Sequence, residues 1–131
     1  MAGNSEGKIQ GIGQIHISVD DLQRAVEFYK DILGLELLLE VPGLSMAFFN
    51  CGGVRLYLGE PEAEEFRSNP LLYYRVDSVQ KAHEALADRG VEFSSPPHVV
   101  HKTDAIELWM AGFSDPEGNR LVLMGETPVE A

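Results

Sequence analysis

The chain has 131 residues and carries 10 lysines and arginines against 21 aspartates and glutamates, for a formal net charge of −11. That length suits one domain with its own core, and an acidic chain without a dense basic cluster is not expected to bind nucleic acid or anionic membranes. No apolar stretch is long enough to span a bilayer. Residues 1–10 are polar and resemble a leader without a secretory signal. We therefore expect a cytoplasmic protein.

Two self-matches indicate an internal duplication. Residues 19–31 (VDDLQRAVEFYKD) and 76–88 (VDSVQKAHEALAD) share 6 of 13 positions at an offset of 57. Residues 53–58 (GVRLYL) and 118–123 (GNRLVL) share 4 of 6 positions at an offset of 65. The two halves therefore begin and end alike, as expected of a repeated structural unit.

The first half predicts a strand, a helix and three further strands. Apolar and polar residues alternate over 13–19, which is typical of a strand with one buried face. The following helix is predicted to begin at Asp20, paired with Gln23 in a capping box, and to end at Gly34. The three further strands are predicted over residues 36–41, 46–50 and 54–58.

The second half repeats this order. A strand is predicted over 71–76, and a helix follows to Arg89, capped by Asp77 and Gln80. The last three strands are predicted over residues 91–100, 106–113 and 119–124. We therefore predict an α+β fold: a single domain over 1–131 with βαβββ modules at 11–59 and 70–125, joined by an acidic linker at 60–69.

The motifs FYKDILG, at the end of the first predicted helix, and DPEGNRL, at the turn before the last predicted strand, make the chain resemble the vicinal oxygen chelate superfamily. That group includes glyoxalase I, bleomycin resistance proteins and extradiol dioxygenases, and the resemblance covers about residues 11–125. It implies that the modules curl their mixed sheets into a cup, where a divalent metal chelates two oxygens of a small substrate. It also implies a homodimer.

The residues at the metal-ligand positions depart from that pattern. Aligned through the shared motifs, the four positions fall on Gln14, Tyr57, Leu71 and Val122. Gln14 could ligate a metal readily, whereas leucine and valine side chains cannot. A standard metal centre is therefore not expected. A shift of two residues along the first strand would instead bring His16 into the set.

Strand parity predicts which other residues face the cup. His16 and Arg55 should share the cup face with Gln14 and Tyr57. His16 is then a candidate general base or metal ligand, because a neutral imidazole can serve either role. The alternative is a histidine that merely lines the cavity.

A second cluster of polar residues follows the second helix. His98 and His101 are three residues apart, so we expect them to face opposite sides of a strand, and either could reach the cup. Glu107 shares its parity with Trp109. His16, one of these histidines and Glu107 could form a displaced metal or catalytic site, or these residues could simply border a pocket.

Aromatic and cationic side chains complete the candidate site: Arg55, Tyr57, Tyr73, Arg75 and Trp109. Such a cup would suit a planar or anionic organic ligand, although ordinary packing explains the same residues. Two functions therefore remain open. One is a lyase, isomerase or dioxygenase with His16 and Glu107 as catalytic residues and a divalent metal. The other is a metal-free protein that sequesters a ligand or drug.

Overall fold

The computed structural model describes residues 6–129, so the start of the polar leader and the last two residues lie outside the described part. The first module contains one strand, one helix and then three strands. Its elements are β1 (Gln14–Ser18), α1 (Leu22–Glu27), β2 (Glu36–Val41), β3 (Met46–Cys51) and β4 (Val54–Gly59). Helix α1 continues directly into a π-helical turn at Phe28–Ile32.

The second module repeats the sequence of elements. They are β5 (Leu72–Arg75), α2 (Val79–Asp88), β6 (His98–Lys102), β7 (Ile106–Ser114) and β8 (Arg120–Pro128). Strand β6 is shorter than predicted, since the stretch before it pairs only through a single bridge between Phe93 and Phe113. Strand β8 runs four residues beyond its predicted end because it pairs along the whole of β7.

Each module forms a four-stranded mixed sheet. The strand orders are β1-β4-β3-β2 and β5-β8-β7-β6. In each sheet the first strand pairs in parallel with the last, and the other neighbours are antiparallel. The sheets therefore repeat the duplication seen in the sequence, and the predicted α+β fold of two modules is confirmed. The limits of the linker at residues 60–69 stay a prediction.

The core lies between the sheets and the helices. Ile17 and Leu56 fill one face of the first sheet, and Tyr29 covers them from the helical side. Burial of each such side chain stabilises the fold by about 1.5–3 kcal/mol. Because strand residues alternate between faces, burial of this set turns Gln14 and His16 to the opposite, concave face.

Both helices begin one residue later than predicted. Asp21 caps α1 by accepting a hydrogen bond from the Arg24 N–H, and Ser78 caps α2. The backbone N–H groups of Asp20 and Asp21 both donate to the Glu117 carboxylate of the second module. A contact between the modules thus lies at the start of α1. Among residues 6–129, no helix is long and apolar enough to cross a bilayer.

Candidate functional site

The concave face of the first sheet brings together the residues predicted for it. Strands β1 and β4 pair in register, so Gln14 lies beside Arg55 and His16 beside Tyr57. The Gln14 Oε1 atom accepts a 2.8 Å hydrogen bond from Arg55 Nε. That bond fixes the direction of the guanidinium group across the strand pair.

An aromatic stack extends across this face. The ring centroids of Tyr57 and Phe48 are 5.1 Å apart with an angle of 22° between planes, and His16 lies 4.5 Å from Tyr57. The Arg55 guanidinium lies 5.1 Å above the Phe48 ring. Phe48 could not be assigned to this face from the sequence, because the consecutive phenylalanines of β3 do not reveal which ring faces the core. The register of Phe48 opposite Tyr57 decides it.

A cavity of about 320 Å³ lies against the edge of this stack. Strands β1 and β4 form one wall, and the segment after β4 forms the other. Its lining residues are Gln14, His16, Tyr57, Pro61, Glu62, Phe66 and Ser68. Burial, followed by the negative charge of Glu62, raises the pKa of Tyr57. The Tyr57 hydroxyl therefore stays protonated and can donate a hydrogen bond in this cavity.

Both ring nitrogens of His16 are hydrogen-bonded. Its Nδ1 lies 3.2 Å from the Tyr57 carbonyl oxygen, which can only accept. Its Nε2 lies 3.0 Å from Ser18 Oγ, and that oxygen already accepts from the Ser68 N–H. When Nδ1 donates to the Tyr57 carbonyl, the Ser18 hydroxyl can donate to Nε2. In that tautomer Ser18 engages the lone pair that a base or metal ligand would need.

A second concave cavity, of about 370 Å³, lies on the other sheet. Tyr73, His98 and Arg120 supply its polar side chains with two serines, Ser94 and Ser95. The predicted ligand positions Leu71 and Val122 also line it. The four predicted ligand positions are therefore divided between two cavities, with Gln14 and Tyr57 in the first.

The prediction that His98 and His101 face opposite sides is wrong. A bulge between Val99 and His101 changes the register of β6 against β7. His98 pairs with Met110 and His101 with Leu108, two positions of the same parity. Both histidines therefore stand on one face of the sheet, which a simple alternation could not predict.

The structure does not bring Glu107 or Trp109 to His16. Both share the parity of Ala111 and Phe113, which are buried against the helices, so they lie on the side away from the concave face. Glu107 pairs with Lys102 at 3.7 Å. The displaced site of His16, a histidine and Glu107 is therefore not assembled. Arg75 borders a different cavity, between the modules.

Comparison with known proteins agrees with this architecture. The family model of the glyoxalase/bleomycin resistance protein/dioxygenase superfamily matches residues 11–123. The chain belongs to this superfamily. It is 31% identical over 119 residues to the uncharacterized protein YraH of Bacillus subtilis, covering 81% of this chain and 91% of YraH.

Relatives within the superfamily differ in what they do. The chain is 46% identical over 52 residues to the metallothiol transferase FosB of Staphylococcus epidermidis, which covers 40% of this chain and 36% of FosB. It also resembles the structure of TnmS3, an antibiotic-binding protein of Streptomyces sp. CB03234. That likeness has a TM-score of 0.71 and 26% identity, and it covers 91% of this chain and 98% of TnmS3.

The residues present do not fit the metal centre that superfamily membership suggests. Leucine and valine occupy two of the four ligand positions, and these side chains hold no donor atom. Among residues 6–129, no three His, Cys, Asp or Glu side chains converge closely enough to hold a metal ion. The aromatic stack and the cavity beside it are the features that a ligand can use directly.

Proposed function

We propose that this chain binds a small, planar, positively charged aromatic molecule in the first-module cavity, without a metal. The observation that carries this proposal is the Tyr57 ring, stacked on Phe48, in the same cavity as the Glu62 carboxylate. The description of TnmS3 as an antibiotic-binding protein supports binding without chemistry as a role within this superfamily.

Each wall of the cavity would contribute a different interaction. The rings of Tyr57 and Phe66 line the cavity, where they would attract a planar cation through aromatic and cation–π contact. Glu62 supplies the opposite charge, and the Tyr57 hydroxyl can donate to a polar atom of the ligand. His16 acts here as a positioning residue, because its hydrogen bond to the Tyr57 carbonyl ties β1 to β4 beneath the stack.

A fluorescence titration tests the proposal. Proflavine serves as a planar cation, and 1-naphthalenesulfonate as a planar anion. We expect proflavine to bind more tightly, with Tyr57→Ala and Glu62→Gln each lowering its affinity about tenfold. Glu60→Gln is the matched control, since Glu60 is exposed and does not line the cavity. Equal binding of both dyes, or unchanged binding by Tyr57→Ala, would overturn the proposal.

A second candidate is a metal-dependent lyase, isomerase or dioxygenase centred on the second module. The observation that favours it is the bulge that places His98 and His101 on one face. The experiment measures the bound metal and the thermal unfolding of tag-free protein with Mn²⁺, Fe²⁺, Ni²⁺ or Zn²⁺. A stoichiometric metal whose thermal shift disappears in both His98→Ala and His101→Ala would favour this enzyme over the metal-free function.

Homodimer formation and a cytoplasmic location also stay predictions. Light scattering tests whether the chain forms a homodimer.

A further inference from the structure

The second-module cavity is the concave cavity of about 370 Å³ on the second sheet. Gly112 of β7 and Val122 of β8 line it, and these two residues lie opposite each other in the sheet. Their neighbours Phe113 and Leu121 are buried against the helices. Because strand residues alternate between faces, Gly112 and Val122 form part of the cavity floor.

Space, not backbone conformation, requires a glycine at position 112. Gly112 lies inside β7 and does not have a positive φ angle. A Cβ atom there would lie 3.2 Å from both Ser94 Oγ and Ser95 Oγ, closer than nine in ten contacts of real Cβ atoms. Glycine inside a strand often marks a place where another group approaches the backbone closely. Here the missing side chain lets two serine hydroxyls converge over the strand.

Both hydroxyls can serve a ligand in this cavity. Ser95 Oγ accepts a 2.9 Å hydrogen bond from the Gly112 N–H, so its own proton is left for another acceptor. Ser94 is exposed and lines the cavity beside it. A ligand that brings an acceptor to Gly112 can therefore receive two hydrogen bonds at one place.

Arg120 adds a positive charge on the same face. It lies two residues before Val122 on β8, and its guanidinium forms no ion pair among residues 6–129. No aspartate or glutamate is found among the described residues that line the cavity. Glu126, on this face of β8, lies four residues beyond Val122, which is about 13 Å along a strand. In a chain with a net charge of −11, this cavity is locally cationic.

The rest of the lining indicates what the anion should carry. Leu71, Met110 and Val122 are apolar, and the Tyr73 ring is half exposed beside them. Aromatic rings and methionine sulfur both favour contact with another aromatic ring. A single guanidinium matches one negative charge, whereas the acidic chain repels a multiply charged anion. Arginine pairs with a carboxylate through two parallel hydrogen bonds.

We propose that the second-module cavity binds a small aromatic monocarboxylate. The carboxylate would accept hydrogen bonds from Arg120, Ser94 and Ser95, and the ring would lie against Tyr73 and Met110. The site uses neither the first-module cavity nor a metal, so it does not depend on either function proposed above.

A fluorescence titration with 2-naphthoate tests the proposal, and 2-naphthamide is the uncharged counterpart of the same shape. EDTA in the buffer removes any contribution from metal. We expect one naphthoate bound per chain, more tightly than the amide. Arg120→Gln should weaken naphthoate binding about tenfold, because charge-assisted hydrogen bonds are lost. Arg75→Gln is the matched control: it removes the same charge from the same face, but Arg75 does not line this cavity.

Two further variants test the serine hydroxyls. Gly112→Ala places a methyl group against both of them and should weaken naphthoate binding about tenfold. Ser94→Ala removes one hydroxyl and should weaken it severalfold. Gly13→Ala is the control for the added methyl group, because its Cβ atom meets open space.

Competition between ligands separates this site from the first-module cavity. Saturating 2-naphthoate should displace any 1-naphthalenesulfonate bound in the second-module cavity, and it should leave proflavine bound. The comparison of proflavine with 1-naphthalenesulfonate is therefore made with 2-naphthoate present. A chain that binds naphthoate but not proflavine would contradict the first-module function alone.

Four results would overturn the inference. The first is 2-naphthamide binding as tightly as 2-naphthoate. The second is an equal loss of affinity in Arg120→Gln and Arg75→Gln, which would indicate general attraction to the positive face. The third is unchanged affinity in Ser94→Ala, a substitution at an exposed residue that should fold even if Gly112→Ala does not. The fourth is displacement of proflavine by 2-naphthoate, which would show that both ligands share one site.

Discussion

The Tyr29 hydroxyl donates a 2.7 Å hydrogen bond to Asp115 Oδ2, joining the first module's helical segment to the second module's hairpin turn across 86 residues of sequence. The same carboxylate accepts from the backbone N–H groups of Glu117 and Asn119 and from the Asn119 side chain. The two motifs that carry the family resemblance, FYKDILG and DPEGNRL, therefore meet at one buried carboxylate.

Tyr29→Phe should destabilise the protein by about 1.5–3 kcal/mol, because it removes a hydrogen bond to a buried charged group. Urea unfolding measures the difference. Tyr73→Phe is the matched control, since the Tyr73 side chain is half exposed, and its free energy of unfolding should stay close to that of the wild type. Equal stabilities of the two variants would mean that the Tyr29–Asp115 bond contributes little.

Alkaline pH should unfold the chain through the same tyrosine. Burial, with the nearby Asp115 charge, raises the pKa of Tyr29, and burial also raises that of Tyr74. Above about pH 10, the unfolded chain releases these protons while the folded chain keeps them. Stability is therefore complete below that pH and falls as pH rises, by about 1.4 kcal/mol per pH unit for each tyrosine. Urea unfolding between pH 8 and 11 measures this loss. The free energy of unfolding should fall less steeply with pH in Tyr29→Phe than in the wild type. Equal slopes in the two proteins would show that Tyr29 does not contribute to the loss of stability.

Gly59→Ala should weaken proflavine binding without removing any group from the cavity. A Cβ atom at Gly59 would lie 2.8 Å from Tyr57 Cε1 and 2.8 Å from the Ser45 carbonyl oxygen. The contact with Tyr57 displaces its ring, and the contact with Ser45 shifts the backbone of β4 that carries it, so we expect affinity to fall about tenfold. Gly13→Ala is the control, because its added methyl group meets open space. Equal dye affinity in both variants would show that the position of the Tyr57 ring does not matter for binding.

We expect His16 to favour the tautomer that carries its proton on Nδ1. The Tyr57 carbonyl can only accept, and Ser18 supplies the donor for Nε2. Nitrogen-15 NMR of the imidazole distinguishes the tautomers. Ser18→Ala should redistribute the proton between the two nitrogens, whereas His101→Ala should not alter the His16 signals. A dominant Nε2–H form in the wild type would contradict this network and would restore His16 as a candidate base.

Much of the fold could be predicted from the sequence because local patterns carry it. Alternation located β1 and placed Gln14, His16, Arg55 and Tyr57 on one face, as the structure has them. The contact between Glu117 and the backbone N–H of Asp20 could not be predicted locally, because the two residues lie 97 positions apart in the chain.

The candidate site was less predictable, since it depends on register. Glu107 was assigned the correct parity, yet only the buried Ala111 and Phe113 reveal that this parity faces the helices. The bulge between Val99 and His101 places His101 on the same face of the sheet as His98, whereas strict alternation puts them on opposite faces. Phe48 belongs to the aromatic stack because it pairs with Tyr57 across β3 and β4. No local sequence pattern predicts that pairing.

The sequence by itself determined the duplication, the two βαβββ modules and the loss of donor atoms at Leu71 and Val122, because repeats, periodicity and side-chain chemistry are local properties. Only the tertiary structure decided which strand faces meet and how the four predicted ligand positions divide between two cavities. Those outcomes depend on packing between residues far apart in the chain, where the volume of one side chain sets the space left for another.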